Sequence, residues 1–302
     1  MTVKAPLPDP VRDALPGILK AHLPDHPLES AFRMPGGREK YVLRCFGIQD
    51  PLVLRVYGPG PEERAALENG LKVGQLLSGA GGKAGKEAPT YRMVGFDETG
   101  ATAPFLYRLS TMLWGADAET LLEGELGEDD VARIGTALGG AAAAIHGVSA
   151  DGFGEPRLPA HAREKTLATA VLQVIERAVR DAQRKGEMSE GAFERIAARA
   201  DPLFDLLAEA GARGTLVHGD LRPSSIIVRR GEGVFRLVGV VRLDHGRFLD
   251  PAYDLATLEA DAFARFPALR APFYKAYSER RELPPDLDLR LTLYEAIRAL
   301  LA

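Results

Sequence analysis

His218, Gly219 and Asp220 fall within Leu216-Val-His-Gly-Asp-Leu-Arg-Pro-Ser-Ser-Ile-Ile-Val228, a stretch that sets an acid beside a histidine in a predicted loop. A loop of this kind can display a carboxylate to a cleft. There the carboxylate can accept the proton of an alkyl or sugar hydroxyl as the oxygen attacks phosphorus, while cations hold the phosphates in line. Asp220 suits the first task. Two further segments follow, Leu237-Val-Gly-Val-Val-Arg-Leu-Asp244 and Asp250-Pro-Ala-Tyr-Asp-Leu-Ala256, which read as the second half of a hairpin and an acidic turn opening a helix. Asp250 and Asp254, before and within that helix start, suit capping and loop bracing.

The preceding chain must supply the opposite wall of any such cleft. A short helix is expected near Val11 to Leu23, ended by Pro24. Three strand-like runs follow, around Glu29 to Met34, Lys40 to Phe46 and Pro51 to Tyr57, separated by glycine or proline as hairpin connections require. Pro61-Glu-Glu-Arg opens a helix running to about Leu77, with proline tolerated in the first turn and acids suited to the positive end of the helix dipole. The glycine-rich stretch after Ser78 reads as a loop, and two more strands are expected at Thr90 to Phe96 and Pro104 to Leu109.

Beyond Ser110 the pattern becomes helical. Val131, Ile134, Leu138, Ala142 and Ile145 recur at three- and four-residue spacing, so one face of the helix over Glu128 to His146 is buried. Helical patterns continue from about His161 to Lys185 and from Ser189 to Ala210. The short apolar runs Ile226 to Val228 and Phe235 to Leu243 then precede further helices. The fold class is therefore α+β in two lobes, with a sheet-rich N-terminal lobe over residues 1–109 and a helix-rich C-terminal lobe over residues 110–302.

Composition narrows the partners. The chain has 302 residues, 46% hydrophobic, enough to bury a substantial core. Its formal net charge of -4 lacks the basic excess that draws a protein to nucleic acid or an anionic membrane. Cys45 is the only cysteine, which excludes an intramolecular disulfide and a Cys-based zinc site and fits a reducing, cytoplasmic setting. No apolar run approaches the roughly 20 residues of a membrane-spanning helix. The run from Asp117 to Asp130 holds Asp117, Glu119, Glu123, Glu125, Glu128, Asp129 and Asp130 with no basic residue. It reads either as an acidic rim for a polycationic or amine substrate or as solvated helix starts.

The His-Gly-Asp and Asp-Pro-Ala-Tyr-Asp-Leu-Ala motifs, at this separation, resemble those of the aminoglycoside phosphotransferase and choline kinase group, whose fold is protein-kinase-like. The resemblance implies a nucleotide cleft between the lobes, ATP or GTP as donor, and a small-molecule hydroxyl or amino-alcohol substrate. It implies Asp220 as catalytic base, His218 as the brace of its loop, and Asp250 and Asp254 as residues that hold the large lobe together. It implies Arg55 as the strand residue on nucleotide phosphates, oriented by Glu68. It puts Gly36 and Gly37 either in a turn over the phosphates or in an ordinary hairpin, and the backbone of Arg108 and Leu109 at an adenine edge. His146 matches a recurring family position, although a packed core histidine is the more economical role.

Two positions depart from the pattern. Ser225 stands where the group has a metal-binding asparagine, and Arg242 where it has the metal-binding aspartate. Magnesium prefers oxygen ligands including a carboxylate, which arginine cannot replace. Ser225 could still bind a metal weakly through its hydroxyl, and Asp244 could supply a ligand if the strand stays extended. Alternatively Arg242 could meet phosphate directly or pair with Asp220. Two functions follow: a small-molecule kinase, or a non-catalytic kinase-like binding protein that has lost metal-dependent chemistry.

Overall fold

A computed structural model describes residues 6–34, 39–79, 88–186, 207, 213–284 and 286–298. Gly36 and Gly37, the glycine-rich residues 80–87 and nearly all of the expected helix from Ser189 to Ala210 lie outside the described residues.

Helix α1 (Asp9–His22) precedes strands β1 (Leu28–Arg33), β2 (Lys40–Cys45) and β3 (Leu52–Tyr57), then helix α2 (Pro61–Gly79) and strands β4 (Met93–Asp97) and β5 (Leu106–Thr111). The five strands form one antiparallel sheet in the order β1-β2-β3-β5-β4. Side chains alternate across it, as the two-residue period of a strand requires. Leu52 and Leu54 of β3 and Tyr107 and Leu109 of β5 face α1, where they pack with Leu15, Ile18, Tyr41 and Leu43. The intervening residues Tyr57 and Leu106 face α2 and pack on Leu67 and Leu71.

The remaining chain forms the larger, mainly helical part. It contains β6 (Ala116–Asp117), α3 (Ala118–Leu122), α4 (Glu128–Ile145), β7 (Ser149–Asp151), α5 (Leu167–Lys185) and β8 (Arg213–Val217). These are followed by β9 (Ile226–Gly231), β10 (Val234–Val240), β11 (Arg247–Leu249), α6 (Ala252–Thr257), α7 (Arg270–Ser278) and α8 (Leu287–Arg298). Two three-stranded sheets, β10-β9-β6 and β11-β8-β7, carry the loops of interest. The predicted face of α4 is buried at Ile134, Leu138, Ala142 and Ile145, against α7 and β10. Val73 and Leu77 of α2 join this large core, so α2 belongs to both hydrophobic clusters. No helix among the described residues is long and apolar enough to cross a membrane.

Two boundaries differ from expectation, and both matter for the site. Strand β5 runs on to Thr111 instead of stopping at Leu109, since β3 and β4 pair with it on both sides to Ser110 or beyond. Strand β10 stops at Val240 instead of Leu243. Arg242 there adopts the left-handed conformation, φ 64°, and a 3-10 turn follows over Leu243–His245. Non-glycine residues seldom take that conformation, and it ends the strand.

Candidate active site

Strand β8 delivers the chain to His218 and the loop to Ser225. The loop is fixed from below by Asp254 in the first turn of α6. This fully buried carboxylate accepts the backbone N–H of His218 at 2.6 Å and of Gly219 at 2.9 Å, and its Oδ2 lies 3.2 Å from His146 Nε2. His146 Nδ1 in turn lies 2.8 Å from the Tyr277 hydroxyl. Burial, the largest single influence, pushes the Asp254 carboxyl upward. The hydrogen bond and charge of His146 and the charge and backbone N–H of His218 outweigh it and hold the group below its ordinary value. Asp250 caps the same helix by accepting the Ala252 N–H at 2.9 Å and pairs with the Arg290 guanidinium. Gly219 sits at φ +84°, and a Cβ there would strike the His245 carbonyl, so this position requires glycine.

Both ring nitrogens of His218 are engaged with the backbone around the loop. Its Nε2 donates to the Val241 carbonyl at 2.8 Å, and its Nδ1 accepts the Asp220 N–H at 3.3 Å. Ser225 is fully buried and its hydroxyl donates to the Asp220 carbonyl at 2.8 Å, which makes it a loop brace and not a metal ligand. The Asp220 carboxylate itself is 28% exposed and is held by Arg222 Nε at 2.7 Å. That arginine, not Arg242, is the partner of Asp220. Arg222 also reaches Asp261 at 3.1 Å, and Asp261 reaches Arg265, which pairs with Glu119 and with Glu123.

Across from this loop lies a cleft of about 600 Å³, lined on the sheet side by Lys40, Val53, Arg55, Arg108 and Ser110 and on the other by Ser224, Ile227, Val241 and Arg242. Lys40 is registered opposite Arg55, and Arg55 opposite Arg108, so three cations stand in one row across β2, β3 and β5. Directly opposed like charges destabilise a sheet. Among the described residues the carboxylate paired with this row is Asp244, which pairs with Arg55, lies 3.6 Å from Arg108 and accepts the Tyr57 hydroxyl at 3.3 Å. Arg108 additionally stacks on the Tyr91 ring, 4.1 Å from its centroid, and contacts the Tyr91 hydroxyl. Its buried Nε has no hydrogen-bond partner among the described residues. Arg242 donates to Ser224 Oγ at 3.2 Å, and among the described residues neither it nor Lys40 makes an ion pair.

The left-handed turn at Arg242 explains where Asp244 goes. It does not remain beside Arg242 on one face of an extended strand; the turn sends it into the contact with α2. Asn69 of that helix donates to the carbonyls of Asp244 at 3.0 Å and Gly246 at 2.7 Å. The next residue, Gly70, leaves the space into which Asp244 fits: a Cβ there would collide with Oδ1.

The family's divalent metal does not fit this donor set. Ser225 is turned away, Arg242 is a cation, and Asp244 is committed to two arginines. Among the described residues no group of three His, Cys, Asp or Glu side chains is placed to hold a metal. A divalent ion about 5 Å from a single unit cation, at an effective dielectric of about 20, feels a repulsion of roughly 7 kcal/mol. The cleft presents several such cations.

Other expectations are corrected by the same geometry. Glu68 does not orient Arg55: its carboxylate pairs with Arg157 at 3.5 Å, because α2 turns Asn69 and Gly70 toward Asp244. Arg108 and Leu109 cannot offer backbone groups to a base, since β5 is paired on both sides there and Leu109 is fully buried. The connection that lines the cleft is Thr111 to Ala116. Of the acidic run, Asp117 caps α3 by accepting the Thr120 N–H at 2.9 Å, and Asp130 pairs with Arg230. Asp117, Glu119 and Glu123 also line the cleft, so part of the run does form a rim. His218, Asp220, Ser225, Glu68 and Asp244 are not on the cleft wall; Asp220 is joined to it through Ser224 of its own loop.

Lys40 and Arg222 were not legible as site residues, since single basic residues are ordinary surface features. Gly70 carried a signal, because a mid-helix glycine costs about 1 kcal/mol relative to alanine and implies a close approach. Lys40 gives a direct check on the crowding of charge. Burial lowers its ammonium most, and Arg55, Arg242 and Arg108 lower it further against the pull of Asp244, down to about 8. In reductively 13C-methylated protein the Lys40 signal should titrate near pH 8, and Arg55→Gln should move it upward. A parent midpoint at the ordinary lysine value of about 10.4 would contradict the cation row.

Comparison with known proteins agrees with this architecture. A family model described as the phosphotransferase enzyme family matches residues 37–290. The GDP and kanamycin complex of APH(2")-IIia is 15% identical, with 95% of this chain and 89% of that chain covered and a TM-score of 0.63. A thermostable mutant of aminoglycoside phosphotransferase APH(4)-Ia, solved with AMP-PNP and hygromycin B, is 18% identical over 94% and 88% of the two chains, TM-score 0.61. A Haemophilus somnus protein assigned as a fructosamine-3-kinase is 12% identical over 96% and 89%, TM-score 0.65. These structures share the two-lobed kinase-like fold. A comparison with curated proteins finds no match. With the family pattern covering most of the sequence, and the His218–Asp220 loop tied to Asp254 beneath an interlobe cleft, the chain belongs to the phosphotransferase enzyme family.

Proposed function

We propose that the protein transfers the γ-phosphate of ATP or GTP to a hydroxyl of a small molecule. The hydroxyl oxygen bonds to the γ-phosphorus, the bond to the β,γ-bridging oxygen breaks, and Asp220 takes the hydroxyl proton as the nucleoside diphosphate leaves. The observation that carries the reading is the convergence of Lys40, Arg55, Arg108 and Arg242 on a cleft whose other wall includes Ser224, four residues along the loop from Asp220. Val53, Met112, Leu113, Ile227 and Val241 give the same cleft an apolar portion suited to a planar base. Residues 1–109 then form the nucleotide lobe and residues 110–302 the acceptor lobe, in a cytoplasmic enzyme. Asp117, Glu119 and Glu123 on the rim favour an amino-alcohol or aminoglycoside acceptor.

A second reading, a non-catalytic nucleotide- or ligand-binding relative, is favoured by the engagement of Asp244 with Arg55 and Arg108. Thermal unfolding with ATP or GTP tests the cleft. A ligand at about 100 times its Kd adds about 2.7 kcal/mol of stability, and no response to either nucleotide removes both nucleotide readings. Phosphorus NMR with a panel of amino-alcohols and aminoglycosides separates them: a phosphomonoester signal supports transfer, and stabilisation without any new ester supports binding alone.

A further inference from the structure

We propose that the cleft takes its nucleoside polyphosphate as the metal-free anion, with Arg242, Lys40, Arg55 and Arg108 supplying the positive charge that a divalent cation would otherwise bring. The inference rests on the nucleotide reading above and adds the ionic form of the ligand.

Four features lead to it. The row Lys40, Arg55, Arg108 sets like charges opposite one another on three adjacent strands, an arrangement that an anion relieves. Arg242 adds a fourth cation from the other wall and, with Lys40, lacks an ion-pair partner among the described residues. Arg108, only 5% exposed, keeps a buried Nε without a hydrogen-bond partner among the described residues. Finally, the side chains that would hold a metal are replaced or engaged elsewhere. A magnesium-bound polyphosphate carries less negative charge than the free anion and adds a cation to a cleft that already has four, whereas guanidinium groups offer planar paired donors to phosphate oxygens. The depressed Lys40 amine agrees with this picture, since a bound anion favours its charged form.

Calorimetric titration of the full chain with ADP, in EDTA and in excess Mg2+, tests the proposal. ADP should bind in EDTA, and saturating Mg2+ should weaken it by roughly threefold or more as the free anion is depleted. Arg242→Asp should weaken binding in EDTA by about tenfold, the loss of one charge-assisted contact, and make binding improve with Mg2+. Aspartate tolerates the left-handed conformation of that position, so the turn survives the change. An unchanged unfolding temperature of the free variant checks this, and Arg242→Gln, which should show the same loss in EDTA, provides a second measurement if it does not. Binding by the parent that requires Mg2+, or is about tenfold tighter with it, overturns the metal-free form while leaving the nucleotide site intact. Absence of ADP binding under both conditions overturns the nucleotide site itself, and the proposal with it.

Discussion

Asp254→Ala should lower the stability of the protein by about 3–5 kcal/mol, the usual cost of removing one partner from a buried charged network. The carboxylate is the acceptor for the backbone N–H groups of buried His218 and partly buried Gly219 and the neighbour of buried His146 Nε2. Alanine leaves these groups without their protein acceptor, and each unmet buried donor costs about 1–3 kcal/mol. At roughly 2 °C per kcal/mol for a chain of this size, unfolding should begin about 6–10 °C earlier. The effect should be smaller in a His146→Ala background, because the two side chains share one hydrogen bond. Acid should act on the same group. Its folded-state pKa is depressed, so its contribution to stability is complete above the unfolded carboxyl value of about 3.9 and disappears as pH falls through the lower folded value. A loss below about 1 kcal/mol in denaturant melts would show that the loop is held by other means.

Asp220→Asn should reduce phosphate transfer by about 10²–10⁴-fold, the span usual for a general base. The substitution isolates the carboxylate, since the loop is held through the Asp220 backbone: Ser225 donates to its carbonyl and His218 accepts its N–H. Arg222 loses one partner and keeps Asp261. Nucleotide affinity should therefore stay within about twofold, since the cations lining the cleft are on other elements. The assay is transfer to whichever acceptor the phosphorus NMR screen identifies. A variant turning over at the parental rate would remove Asp220 from the chemistry.

What could be read from the sequence was what short-range chemistry fixes. His218-Gly-Asp220 and Asp250-Pro-Ala-Tyr-Asp254 announce themselves because each must satisfy a helix start or a tight loop with particular side chains, and they do so through contacts a few residues wide at one end. The two-residue alternation of β3 likewise put Arg55 on a defined face. The directions of Asp244 and Glu68 were not legible. The first depends on a left-handed arginine, which no propensity anticipates, and the second on the rotation of α2 about its axis, which Gly70 sets by the depth at which Asp244 packs. The two-residue extension of β5 has a similar origin: its end is decided by pairing with β3 and β4, which are distant in sequence.

The seating of α2 has a mechanical consequence. Asn69 and Gly70 fasten the helix to the segment 244–246, whereas Leu67 and Leu71 only rest on the apolar face of the sheet. Among the described residues, α2 packs more extensively on the turn at 243–245 than on any strand. The helix therefore travels with the large lobe, and if the lobes close or part, the slip plane lies between α2 and the sheet. The Arg55–Asp244 pair crosses that plane and acts as a catch that holds the sheet against the large lobe, so relative motion of the two would have to break it.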